Sequence, residues 1–189
     1  MLGSHNTMSY LPIKGWRRLL KLWIKCQSLT IQEQYNFGIR YFDLRVKLIN
    51  NEWHLCHNKA DFGTLNKQLK DIKQVVSSSD TYFRIILDER KKPKRNIAIY
   101  KHKFFSLCDN LKNIGFNIDS VIIYWEWKEY ECPKIELHEY HASVSASWYQ
   151  YILGTKWFAK HYNKYAKEIY YGYAEDNERV LLLNYTNKL

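Results

Sequence analysis

Residues 83–87 and 180–184 are apolar along almost their whole length, without the polar alternation of a half-exposed strand. Strands of that kind are covered on both faces. Between and around them run stripes at helical spacing: Leu65, Leu69, Ile72 and Val76 after Thr64; Ile97, Tyr100, Phe104, Cys108 and Leu111, closed by Gly115; and Trp157, His161, Tyr165 and Ile169 in a long late helix. Strands buried on both faces that alternate with helices imply an α/β fold with a mainly parallel sheet, and about six strands suit most of a (β/α) barrel. At 189 residues the chain holds one domain core, residues 1–189, and not two.

The first half carries the finer signals. Trp16, Leu19, Leu20, Trp23 and Ile24 recur at helical spacing, which predicts an amphipathic helix from residue 14 to about 26 with Arg17, Arg18, Lys21 and Lys25 outward. Thr30 and Glu33 fit a capping box, and Gly38 is a helix stop. From Ile39 the period becomes two: Tyr41, Asp43 and Arg45 share one face, Phe42, Leu44 and Val46 the other. Across the turn-forming Asn50-Asn51, a second strand over 52–57 places Trp53, Leu55 and His57 together. Further strands are expected over 120–127 and around 135–141.

Lys and Arg number 29 against 19 Asp and Glu, a formal net charge of +10. That balance favours an anionic partner: nucleic acid, an acidic lipid surface or a phosphorylated substrate. No nucleic-acid-binding motif occurs, so no nucleic-acid partner is expected. Arg17, Arg18 and Lys21 break the most apolar early stretch, which excludes a membrane span there. Cys26, Cys56, Cys108 and Cys132 lie far apart with no CxxC pair, so free buried thiols are expected and not a zinc ribbon. No signal peptide is visible.

Functional groups of a parallel barrel gather at the C-terminal ends of its strands. Those ends are polar here: Asp43 and Arg45 point one way from an apolar strand, His57 ends the next, and Asp88, Glu89 and Arg90 end another. Each has an ordinary structural reading, as a scaffold ion pair or a surface histidine. Together they form a pattern. Gly3-Ser4-His5-Asn6-Thr7, then Gln34 through Gly38-Ile39-Arg40-Tyr41-Phe42-Asp43-Leu44-Arg45, then Leu55-Cys56-His57, resemble phosphatidylinositol-specific phospholipase C, X domain, in its bacterial-type branch.

The resemblance implies a distorted (β/α) TIM-type barrel and an intramolecular phosphoryl transfer. The inositol 2-hydroxyl attacks the phosphodiester, and diacylglycerol leaves behind a cyclic inositol phosphate. By position in the motifs, His5 resembles the general base, His57 the general acid and Arg45 the cation that stabilises phosphorane charge. Asp43 is expected to orient a histidine or pair with Arg45, and Asn6 completes the catalytic set. Arg90, Glu139, His141 and Tyr140 resemble residues that contact the headgroup. The animal and plant branch holds calcium with carboxylates where this chain has Arg45 and Arg90, so no metal and no cofactor are expected.

The partners so implied are a phospholipid membrane surface and the phosphatidylinositol headgroup, met by a monomer acting peripherally at a membrane, with the basic run 91–95 or Trp125 and Trp127 as the anchor. Another barrel phosphodiesterase, directed at glycerophosphodiesters or sphingomyelin, and a non-catalytic barrel that binds anionic lipid are the alternatives. Only Met1 and Leu2 precede Gly3, and the chain stops soon after the strand near residue 180. The domain is therefore expected to be incomplete, with the first and last barrel strands missing beside His5.

Overall fold

A computed structural model describes residues 2–76, 80–89, 96–126, 128–131, 138–140 and 179–183. In chain order its strands are β1 (Leu2–Ser4), β2 (Ile39–Ile49), β3 (Glu52–His57), β4 (Ala60–Thr64), β5 (Tyr82–Leu87), β6 (Ile118–Ile123), β7 (Lys128–Glu131), β8 (His138–Tyr140) and β9 (Arg179–Leu183). The α-helices are α1 (Lys21–Ile24), α2 (Ile31–Asn36), α3 (Leu65–Val76) and α4 (Ile97–Asn113). The sheet runs β7-β6-β5-β2-β1-β9-β8, with β3 and β4 branching from β2. Neighbours from β6 to β8 along that path are parallel, and β7 is antiparallel to β6. This is the expected α/β architecture with a non-closed sheet.

Local chemistry explains the elements that position the site. Glu33 N–H bonds the Thr30 hydroxyl while the Glu33 carboxylate accepts from Thr30 N–H, a reciprocal cap that starts α2. Gly38, at φ +103°, ends it and turns the chain into β2. Along β2 both faces are buried: Phe42, Leu44 and Val46 enter the hydrophobic core with Phe83, Ile85 and Phe104, while Tyr41 donates to Asp119 Oδ2 at 2.9 Å. Asn50 and Asn51 both take positive φ, as a tight hairpin requires, so β3 returns antiparallel with Val46 facing Leu55. The return brings His57 back level with the C-terminal end of the parallel strands. A strict alternation of strand and helix would not have placed it there.

Three expectations change. Residues 14–26 do not form one amphipathic helix: a 3₁₀ turn at Gly15–Leu20 leads into the single turn of α1. Lys14 N–H is tied to Asp61 O and Gly15 takes φ +70°, so the chain turns before a helix can begin. Trp16 and Leu19 are consequently 66% and 75% exposed, on the rim and not in the core. The strand expected over 120–127 ends at Ile123, and Trp125 lies in a 3₁₀ turn with its ring 5.8 Å from Tyr100. The gap expected beside His5 is filled. Leu2–Ser4 forms a short first strand that pairs with both β2 and β9, and the ends of the main sheet path among the described residues are β7 and β8.

Cys26, Cys56 and Cys108 are buried free thiols, as expected. The late helix over 157–169, the run 91–95, Trp127 and Cys132 lie outside the described residues. No helix among those described is long and apolar enough to cross a membrane.

Candidate active site

Buried polar side chains fix the loop that follows β1. Ser4 and Thr7 share a hydroxyl hydrogen bond of 2.6 Å, and Gln27 Nε2 donates to His5 O at 3.0 Å. Gln34 Nε2 donates to Thr7 O and to Leu29 O, and Ser9 Oγ accepts from the N–H groups of Cys26 and Gln27. Asn6 sits in the left-handed region at φ 48°, a conformation asparagine tolerates, and its N–H donates to Asp43 Oδ2 at 3.2 Å. Each bond is modest, but a loop held at so many points has few other arrangements. His5 is carried on it, half-buried.

Asp43 is the hub. It is wholly buried on β2, and its Oδ2 accepts from Arg45 NH2 at 3.2 Å and from Arg84 NH2 at 3.5 Å. Burial by itself would raise the Asp43 carboxyl, but Arg45, then Arg84 and His5, hold it well below the usual carboxylate range. The Arg45 guanidinium loses some proton affinity to burial and gains more from Asp43, ending above its ordinary value. Arg45 NH2 also donates to His5 Nε2 at 2.7 Å. A guanidinium cannot accept, so His5 Nε2 is the acceptor and the neutral ring carries its hydrogen on Nδ1. Burial, reinforced by Arg45, lowers His5 from 6.5 to about 3.

His57 faces His5 edge-on, the ring centroids 6.2 Å apart. Its Nδ1 donates to Ile24 O at 2.7 Å, which leaves Nε2 for the site. Burial and then Arg45 push His57 below its ordinary value, while the Ile24 carbonyl and Asp88 pull the other way. Cys26 Sγ lies 4.0 Å from His57 Nδ1, its thiol pushed up to about 12 by burial. Beside His57 opens a cavity of about 450 Å³ walled by Trp16, Leu20 and Ile24, with Arg17 and Lys59 also lining it.

The structure therefore brings together His5, Asn6, Asp43, Arg45 and His57. Glu139 and Tyr140 lie on β8, opposite Val180 and Leu181 of β9, and nothing further is described of them. Arg90 and His141 fall outside the described residues. Arg84, 2% exposed, was not singled out in the sequence, although one cation inside an otherwise apolar strand is a signal that an anion faces it. In the ladder Arg84 is the direct partner of Asp43. Gln27, Gln34 and Ser9 carry no such mark.

The donor set does not fit the calcium of the animal and plant branch. Arg45 places a fixed cation between Asp43 and His5, and no group of three His, Cys, Asp or Glu among the described residues could hold a metal ion.

The family described as PI-PLC X 1 matches residues 20–129, more than half of the chain. The chain belongs to the PI-PLC X family. The matched stretch contains Asp43, Arg45 and His57; His5 precedes it and is joined to them by the geometry above. A PI-PLC X-box domain-containing protein of Dictyostelium discoideum is 39% identical over 61 residues, 32% of this chain and only 8% of that relative's length. The phosphatidylinositol-specific phospholipase C of Listeria monocytogenes superposes with a TM-score of 0.63 at 13% identity, covering 100% of this chain and 89% of that one. At that identity the likeness establishes the fold, an open TIM-type barrel of the PI-PLC kind.

Proposed function

We propose that this PI-PLC X chain is a phosphodiesterase that cleaves phosphatidylinositol at a membrane surface, without a metal ion, to diacylglycerol and a cyclic inositol phosphate. One observation carries the reading: two histidine rings 6.2 Å apart at the ends of the barrel strands, with a buried guanidinium 2.7 Å from one of them. A single phosphodiester can meet all three groups.

In this reading His5 Nε2 removes the proton of the inositol 2-hydroxyl. The oxygen bonds to phosphorus, the bond from phosphorus to the glycerol oxygen breaks, and His57 Nε2–H protonates the leaving oxygen. His5 has to begin neutral, and a value near 3 keeps it so. Arg45 moves from His5 to a non-bridging oxygen, backed by Asp43, so the cation is oriented before charge develops. The anion that enters also offsets the Arg45 charge and thereby raises the proton affinity of both histidines, which the ligand-free site suppresses. Asn6 belongs to the same catalytic set, and Arg90, Glu139, Tyr140 and His141 are assigned to the headgroup.

For the membrane contact we assign Trp16 and Leu19, 66% and 75% exposed beside Arg17, Arg18 and Lys21, in place of Trp125, which packs on Tyr100. Each apolar side chain taken into lipid contributes about 1.5–3 kcal/mol, and each nearby cation about 1 kcal/mol on an anionic leaflet.

The test is turnover of phosphatidylinositol vesicles by the parent, His5→Ala and His57→Ala, with and without a strong calcium chelator. Each variant should lose about 10²–10⁴-fold while vesicle binding persists, and the chelator should change nothing. Residual activity above a tenth of the parent in either variant refutes the roles; chelator loss restored by calcium refutes metal independence; vesicle binding without turnover by the parent leaves a lipid-binding barrel.

A further inference from the structure

Asp88 is 2% exposed just beyond β5, where its own N–H bonds Val46 O. One carboxylate oxygen, Oδ2, accepts the main-chain N–H of Asn58. Asn58 directly follows His57, takes φ +56° and begins the turn from β3 to β4. A turn N–H held this way must find an acceptor, and an amide or hydroxyl oxygen would serve as well as a carboxylate. The second oxygen, Oδ1, is buried with no hydrogen-bond partner among the described residues. An uncompensated buried carboxylate oxygen is costly, and holding the turn does not require it.

We propose that Asp88 is a positioning residue for His57: through Asn58 it fixes the backbone that aims the imidazole, and its carboxylate is kept there as a counter-charge to Arg45 beside the acid. This rests on the assignment of His57 as the acid. Two restraints then act on His57 from opposite ends, Ile24 O on its ring and Asp88 on its main chain. The groups that face His57 are Arg45 and Asp43 from β2, His5 from the loop after β1, Cys26 from the segment before α2, and Asp88, with Arg17 and Lys59 also lining the neighbouring cavity. Burial and Arg45 disfavour the imidazolium; the carboxylates of Asp88 and Asp43 act the other way.

Asp88→Asn keeps an acceptor for Asn58 N–H and removes the charge, whereas Asp88→Ala removes both. The experiment follows the His57 ring by NMR titration and the Asn58 amide by hydrogen exchange in the parent and both variants, together with the pH profile of kcat on phosphatidylinositol vesicles. In Asp88→Asn the His57 midpoint moves to lower pH and the alkaline limb of kcat moves with it, because a general acid must stay protonated, while Asn58 remains protected. In Asp88→Ala the Asn58 amide also loses protection and kcat falls about 10²-fold at every pH, the scale of a misaimed catalytic group. A His57 midpoint unchanged in Asp88→Asn, or Asn58 protection unchanged in Asp88→Ala, overturns the proposal. Should Asp88→Ala not fold, the Asp88→Asn titration decides alone. Absence of turnover in the parent would count against the proposed function, and the titration would still read Asp88.

Discussion

Replacing Asp43 by Asn keeps the shape of the side chain and one acceptor for Asn6 N–H, yet removes a charge shared by Arg45 and Arg84. With Oδ2 3.2 Å and 3.5 Å from the two guanidinium nitrogens, each pair represents roughly 5 kcal/mol of gross attraction at an effective dielectric of about 20. Desolvation of all three groups offsets most of that sum. What the substitution exposes is the remainder: two buried cations that lose the carboxylate they share, for which a loss of about 3–5 kcal/mol is expected. Against a total stability of about 5–15 kcal/mol this is a large fraction. Urea unfolding followed by circular dichroism at pH 7 reads it directly. Asp43→Asn with Arg84→Met should recover part of the loss, because one of the two cations is gone, and a double-mutant cycle over the four proteins isolates that coupling. A loss below about 1 kcal/mol in Asp43→Asn, or additive effects in the cycle, would refute the view of Asp43 as a shared buried counter-ion.

His5 gives a pH dependence with a definite sign. Its value falls from 6.5 to about 3 on folding, so the unfolded chain takes the proton first and stability drops as pH falls through that window. The drop is on the order of a few kcal/mol; Asp43, depressed in the fold, adds loss in the same direction at still lower pH. Urea midpoints at pH 7, 6, 5 and 4 should show a steeper decline for the parent than for His5→Gln, and equal slopes would contradict the burial of a neutral His5. Trp16→Ala with Leu19→Ala should weaken binding to vesicles of fixed anionic content about 10²-fold or more, with turnover of a soluble phosphodiester substrate retained; unchanged sedimentation with vesicles would move the membrane contact elsewhere. Thr30→Ala, which removes the α2 cap, should cost about 1 kcal/mol, and a denaturation midpoint equal to the parent's would show the cap to be idle.

The sequence by itself determined what repeats or is local. Strand and helix periods are set by side-chain alternation at 2.0 and 3.6 residues, so β2, β5, α3 and α4 were legible, as were the Thr30–Glu33 cap and the Asn50-Asn51 turn. The motifs around His5, Asp43–Arg45 and His57 were legible by their resemblance, in order along the chain, to a known family. Tertiary structure decided the rest, because it depends on which residues distant in sequence become neighbours. Arg84 meets Asp43 only through the register of β5 against β2, and Asp88 reaches Asn58 only because β3 folds back antiparallel. The Trp16–Ile24 stripe read as one amphipathic helix, but whether an apolar stripe is covered depends on a partner surface, and here Gly15 and the Lys14–Asp61 bond leave Trp16 and Leu19 on the rim while Ile24 packs against the core. Even the short first strand drew its place from its neighbours: three residues are too few for a periodic signal, and Leu2–Ser4 is a strand because β2 and β9 supply hydrogen bonds on either side.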